Sequence, residues 1–220
     1  MPSVHDLLAR RDIALRLPLH FDPSRLADDL SRMDAAWWSM HRGPYHDGNW
    51  EMIALHAPGG NLHNQTSRGG PFASTEAARR CTYLAEVLAA FPAELNRVRY
   101  MRLRAGGRIL PHSDPMQDID PLLIRIHIPV VTNPAVDFRV SGTRIAMHEG
   151  EAWFVDVRFR HEVINGGDSD RVHLVVDLLR NDRIEQIASD SESAGKGRLS
   201  GYFLKHALPS RVKRWAGLGN

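Results

Sequence analysis

The sequence predicts a mainly β fold with flanking helices, a barrel or jelly roll, and three observations carry that reading. Beyond Val98 the chain breaks into short runs rich in β-branched and aromatic residues, "VRYMRLRA", "LLIRIHIPVV", "DFRVSG", "TRIAMHEG", "EAWFVDV", "HEVIN" and "RVHLVVDLL", separated by turn signals. The two firm helical patterns both precede them, so helices and strands are segregated rather than alternated as in a βαβ fold. At 220 residues, 43% hydrophobic and 25% charged, the chain has the size and composition of one globular domain.

The first element is a helix in "FDPSRLADDLSRMDAAWW". Asp22 is its N-cap, Pro23 its first helical residue, and Leu26, Leu30, Met33 and Trp37 repeat at helical spacing. A strand over residues 49–57 then places Trp50, Met52 and Ala54 on one side. It runs into the Gly/Asn-rich stretch 58–71, which reads as a long mobile loop and the candidate lid.

The second helix is "STEAARRCTYLAEVLAAF", with Ser74 or Thr75 as cap, an apolar stripe of Leu84, Val87, Leu88 and Phe91, and a stop near Pro92. The strand-rich region follows. Residues 1–186 are therefore expected to form one domain, helices to about 95 and the jelly-roll core over about 96–182. Residues 187–220 are expected to be a flexible linker with a basic C-terminal extension.

Composition excludes several classes. A formal net charge of +2 points to neither nucleic acid nor a membrane surface as a partner. No secretory leader pattern and no long apolar span appear, so the expectation is a soluble cytoplasmic protein with no stable membrane association. Cys81 is the only cysteine, which leaves no intrachain disulfide and no thiolate cluster; a buried thiol is expected there.

Most of the 12 histidines, among them His5, His20, His41 and His206, lie in segments without a partner pattern. His112 and Asp114 in "RILPHSDP" differ. Positions i and i+2 of an extended segment project to the same side, where an imidazole nitrogen and a carboxylate oxygen can grip one ion. His161, which follows the apolar run "FVDV", is the candidate third ligand. Two histidines and one carboxylate form a facial triad that leaves positions open on Fe(II), which implies catalysis rather than a structural ion.

Arg171 narrows the chemistry. In "RVHLVVDLL" a period of two puts Arg171, His173 and Val175 on one face and Val172, Leu174 and Val176 on the other. An inward guanidinium is costly unless it meets an anion, and its planar fork suits a carboxylate. A dicarboxylate co-substrate bound to the metal at one end would supply that anion.

The set "HSD", His161 and Arg171, with "VRYMRLRAGGRILPHSD", "IRIHIPVVTN", "EGEAWFVDVRFRHEVIN" and "DRVHLVVDLLRND", resembles the aspartyl/asparaginyl β-hydroxylase family of Fe(II)/2-oxoglutarate-dependent oxygenases. The resemblance covers roughly residues 20–183. It implies a double-stranded β-helix, the cupin-like jelly roll, with the N-terminal helices packed on one sheet. It also implies that His161 binds the metal with His112 and Asp114, and that Arg171 binds the far carboxylate of 2-oxoglutarate. The family's Arg-x-His pair near the co-substrate carries over to Arg125 and His127, which share a face by alternation. The animal peptide hydroxylases of the family have a glycine where this chain has Asp114. The intact His-x-Asp is similar instead to the bacterial branch that includes the L-proline cis-4-hydroxylases.

The expected function is thus hydroxylation of an unactivated C–H bond of an amino acid, free or in a peptide or natural product. Fe(II), 2-oxoglutarate and O2 would be consumed or used as cofactors, with release of succinate and CO2. Two alternatives stay open on the residues alone: a cupin-like metal enzyme that does not use 2-oxoglutarate, and a non-catalytic metabolite-binding module of the same fold.

Overall fold

The computed structural model describes residues 12–66, 69–114 and 123–197. Expectations for the first eleven residues and for the basic segment beyond 197 lie outside the described residues. So do Ser67 and Arg68 of the candidate lid.

Among the described residues thirteen strands form two sheets. The larger has nine: β1 (Ala14–His20), β2 (Ser39–Met40), β3 (Trp50–Pro58), β4 (Phe72–Ser74), β5 (Leu95–Leu103), β7 (Leu123–Val131), β10 (Glu151–Val155), β12 (Arg171–Leu179) and β13 (Glu192–Ser193). Its order is β13-β1-β10-β7-β12-β5-β3-β2, with β4 paired to β3. The smaller sheet has the order β6-β11-β8-β9, from β6 (Arg108–His112), β8 (Val136–Val140), β9 (Thr143–Arg144) and β11 (His161–Asn165). All pairings are antiparallel. This is the predicted jelly roll, two antiparallel sheets with helices against one of them.

Alternation along the central strand β12 sets the layers. Val172, Leu174, Val176 and Leu178 join Val98 and Tyr100 of β5 and Ile124, Ile126 and Ile128 of β7 in the outer core under the helices. A second apolar cluster draws on both sheets: Leu103, Ile109, Phe138, Val140, Trp153, Val155 and Val163. Trp153 belongs to this core, and its indole N–H donates to Glu151 at 2.9 Å.

The helices are α1 (Pro23–Ser31), α2 (Glu76–Arg80), α3 (Leu84–Ala89) and α4 (Asp182–Ser189). Asp22 caps α1 as expected, accepting from the N–H groups of Ser24 and Arg25. The helix stops six residues before Trp37, because Asp34 caps a separate 3-10 turn over Ala35–Trp37. The helix expected over residues 74–91 is two helices. The chain breaks at 81–83, where the buried carboxylate of Asp29 accepts from the N–H groups of Thr82 (2.6 Å), Tyr83 (2.9 Å) and Leu84 (3.0 Å). A capped break replaces the continuous ladder.

Two edge features depart from the expectations. The strand β1 had no sequence signal assigned to it, yet it occupies the sheet between β10 and β13. The stretch after residue 187 begins not as a flexible linker but as the end of α4 and then β13, with Ala194 N–H bonded to the Ala14 carbonyl and Ile13 N–H to the Gly195 carbonyl, both at 3.0 Å. Edge pairing supplies the backbone partners that composition does not reveal. Among the described residues no helix is long and apolar enough to cross a membrane.

Candidate functional site

The turn after β5 delivers the first two site residues. Gly106 has φ +72°, and a Cβ on Gly107 would stand 2.8–2.9 Å from Asn49, Leu103 and the Arg104 carbonyl, so the tight crossover from the larger sheet to β6 requires glycine. The strand β6 then ends at His112. A second tight turn, in which Phe159 N–H reaches the Asp156 carbonyl at 3.1 Å, delivers His161 at the start of β11. The two strands pair with His161 directly opposite His112. The same turn holds Asp114, whose N–H donates to the Val157 carbonyl at 3.0 Å.

Nitrogen and oxygen atoms of His112, Asp114 and His161 lie within 4.8 Å of one another. Asp114 Oδ1 is 3.4 Å from His112 Nε2 and 3.9 Å from His161 Nε2. Both imidazoles are oriented from behind. His112 Nδ1 is 2.7 Å from the Leu110 carbonyl and His161 Nδ1 is 3.0 Å from the Phe159 carbonyl. A carbonyl only accepts, so each Nδ1 carries the proton and each Nε2 presents a lone pair toward Asp114. Burial first, then His112, push the His161 pKa down to about 4 against the pull of Asp114, which keeps the ring neutral. Two Nε2 lone pairs beside a carboxylate fit a divalent ion.

The inner face of β12 carries Arg171, His173, Val175 and Asp177. Arg171 and His173 are each 2% exposed. Arg171 Nη2 donates to His173 Nδ1 at 2.8 Å, and its Nε has no partner. Burial alone pushes the Arg171 pKa down to about 9, with no carboxylate among the described residues to offset it. The proton placement continues one step. His173 Nδ1 accepts from Arg171, so His127 Nδ1, 3.3 Å away, is the donor of that pair and His127 Nε2 is left as a buried acceptor without a partner. The unmet guanidinium N–H suits an anionic guest, and the unmet His127 lone pair suits a hydrogen-bond donor beside it.

Sequence reasoning placed Arg125 near a co-substrate. In the structure Arg125 Nε donates to Asp177 Oδ1 at 2.8 Å and Nη2 to Asp177 Oδ2 at 3.3 Å, while Nη1 donates to Asp114 Oδ2. Asp177 also receives Arg97 (Nε, 3.0 Å) and Arg99 (Nη2, 2.9 Å). Burial acts to raise the Asp177 carboxyl, and the guanidinium groups, Arg125 foremost, overcome it and hold it well below the usual carboxylate range. Asp177, Arg97 and Arg99 were missed by the sequence reading. The signal was present: Asp177 continues the 171, 173, 175 alternation, and Arg97 and Arg99 alternate with the outward Val98 and Tyr100.

The segment before β3 covers this end of the barrel. Leu110 N–H donates to the Tyr45 carbonyl at 2.8 Å, and the Tyr45 ring stacks on His112 at 4.7 Å with 11° between planes. His41, for which the sequence offered no partner, stacks on Trp50 at 3.7 Å. Burial, then Arg99, push its pKa down to about 3. Of the candidate lid, Gln65 reaches back to the Met40 carbonyl at 2.8 Å and accepts from Arg42 N–H at 2.9 Å. Cys81 is half-buried and away from this cluster, and burial pushes its thiol up to about 12.

The architecture is that of a known class. A solved oxidoreductase of the 2OG-Fe(II) oxygenase family from Burkholderia pseudomallei superposes with a TM-score of 0.54 at 16% identity, covering 82% of this chain and 93% of that one. Residues 24–181 match the model of the Aspartyl/Asparaginyl beta-hydroxylase family, and the chain belongs to that family. Among its relatives, the L-proline cis-4-hydroxylase of Rhizobium meliloti (strain 1021) is 28% identical over 163 residues, 72% of this chain and 58% of that protein. The L-proline cis-3-hydroxylase 1 of a Streptomyces species is 26% identical over 141 residues, 61% of this chain and 48% of that protein. The chain thus spans about half the length of these two relatives.

Proposed function

We propose that this protein is an Fe(II)- and 2-oxoglutarate-dependent hydroxylase acting on an amino acid, free or within a peptide or natural product. The observation that carries the reading is the pairing of two features in one interior, the triad from the smaller sheet and Arg171 from the larger. His112, Asp114 and His161 converge at one end, and the Arg171 guanidinium, which no carboxylate of the described residues meets, lies toward the other. Family membership and the fold support it.

His112 Nε2, Asp114 Oδ1 and His161 Nε2 would hold the iron, and Arg171 would take the far carboxylate of 2-oxoglutarate in its fork, with His127 beside it. When bound, iron with 2-oxoglutarate and O2 supplies oxidative chemistry that yields succinate, CO2 and a hydroxyl group at an unactivated C–H bond. The chain's own part is placement. The backbone carbonyls of Leu110 and Phe159 fix both imidazoles, the apolar core around Phe138 and Val140 excludes water, and Tyr45 walls the approach to His112.

Charge supports an anionic prime substrate. Among the described residues of this interior, the guanidinium groups of Arg97, Arg99 and Arg125 share the two carboxylates of Asp114 and Asp177, and Arg171 meets none. A divalent ion and a dicarboxylate cancel each other, so the cationic excess remains for a substrate carboxylate. The L-proline hydroxylases among the relatives make proline and related amino acids the first to try. Incubation with Fe(II), ascorbate, 2-oxoglutarate and a panel of free amino acids and short peptides is expected to release succinate with a subset of the panel. No substrate-dependent succinate from any member, with folded iron-loaded protein, would overturn the proposal.

A further inference from the structure

A planar guanidinium clasped along one edge cannot turn, and this is the condition of Arg125. Its Nε and Nη2 meet the two oxygens of Asp177 at 2.8 and 3.3 Å, a two-point contact that fixes the plane of the group. The remaining nitrogen, Nη1, is thereby aimed at Asp114 Oδ2. Asp177 is itself immobile: it lies opposite Arg125 across β7 and β12, is 2% exposed, and receives Arg97 at 2.8 and 3.0 Å and Arg99 at 2.9 Å from the other neighbouring strand.

We propose that Asp177 is a positioning residue for the metal centre, acting through Arg125 to cap one oxygen of Asp114 and leave only the other to ligate. The inference rests on the reading of His112, Asp114 and His161 as metal ligands. Asp114 Oδ1 faces both imidazoles, whereas Oδ2 is occupied by the guanidinium. A carboxylate held so contributes one oxygen, and the coordination position its second oxygen would fill stays open for a co-substrate. Released from Arg125, the carboxylate is free to rotate and bind through both oxygens. The register explains why the hub sits on β12: it is the strand that neighbours both β5, with Arg97 and Arg99, and β7, with Arg125.

The test uses Co(II) alone, without 2-oxoglutarate, titrated into the metal-free full chain and read by its visible ligand-field spectrum. Asp177→Asn breaks the two-point clasp, since an amide offers one acceptor oxygen. The variant is expected to bind Co(II) about 10–100-fold more weakly, the usual cost of losing an outer partner of a metal ligand, and with an altered band intensity and position. Where Asp177→Asn does not give folded protein, Arg125→Lys carries the test with the same expected change, because an ammonium reaches one carboxylate but has no fork to clasp the other. A folded variant with native Co(II) affinity and a native spectrum would overturn the inference while leaving the ligand assignment intact. Failure of the native chain to bind Co(II) would overturn both.

Discussion

Arg171 and His173 stand two residues apart on one face of β12, joined by a hydrogen bond of 2.8 Å from the guanidinium to the imidazole, and no carboxylate among the described residues meets that guanidinium. A buried cation whose best partner is a neutral ring is a stability cost unless a ligand completes it.

Arg171→Met removes the buried charge and keeps an unbranched apolar stem. The variant is expected to be as stable as the native chain or more so in urea denaturation, because no ion pair is broken. The KM for 2-oxoglutarate should rise about 10–100-fold, the equivalent of about 1.5–3 kcal/mol for a hydrogen bond to a charged group. The native chain should also gain thermal stability from millimolar 2-oxoglutarate with Co(II), and the variant should not. A destabilised variant with an unchanged KM would contradict the pocket assignment.

His161→Ala and Asp114→Ala each remove a donor from a three-donor set. Both should bind Co(II) too weakly to titrate at micromolar protein while retaining the native far-ultraviolet spectrum, since both residues sit at a barrel end rather than in the apolar clusters. Retained stoichiometric binding by either would remove that residue from the ligand set.

Asp29→Ala should lower folding stability by about 3 kcal/mol. It leaves the N–H groups of Thr82, Tyr83 and Leu84 without their acceptor at a buried chain break, and an unmet buried donor costs about 1–3 kcal/mol. Urea denaturation of the purified variant measures this directly, and a loss under about 0.5 kcal/mol would mean that water replaces the carboxylate.

Cys81 should resist a disulfide reagent. Burial raises its thiol from the ordinary 9.0 to about 12, so at pH 8 the thiolate fraction falls about 1,000-fold relative to an exposed cysteine. The sign for stability follows: the folded state holds the proton more tightly, so its contribution is complete below pH 9 and is lost as pH rises from 9 toward 12. Reaction with the reagent before and after unfolding in guanidinium measures the contrast. Equal rates in both states would place the thiol at the surface.

The inner and outer faces of the barrel were legible because the information is local. Alternation in "RVHLVVDLL" separates Arg171, His173 and Val175 from Val172, Leu174 and Val176, and the structure keeps that division. The same rule paired Arg125 with His127 on one face of β7. The convergence of His112, Asp114 and His161 came from chemical type and resemblance, and their approach within 4.8 Å matches it.

Other features had no local signal. Nothing in "STEAARRCTYLAEVLAAF" announces a break at 81–83, since its cause is Asp29, more than fifty residues earlier. The strand β1 became a strand through partners at both edges, β10 on one side and β13 on the other, and β13 comes from a segment whose composition reads as a connector. His41 and Tyr45 are placed by backbone bonds to other segments, His41 N–H to the Trp50 carbonyl at 2.9 Å and Leu110 N–H to the Tyr45 carbonyl at 2.8 Å.

The sequence by itself determined which side chains face inward, which residue types meet there, and the family the chain belongs to, because strand periodicity and residue type are properties of neighbouring positions. Tertiary structure decided how those inward groups are shared. It made Asp177 the hub of three arginines and turned Arg125 toward the second oxygen of Asp114, and it gave Arg171 no carboxylate partner among the described residues. Those outcomes depend on strand order and register, which set partners across β5, β12 and β7 at separations no local pattern encodes.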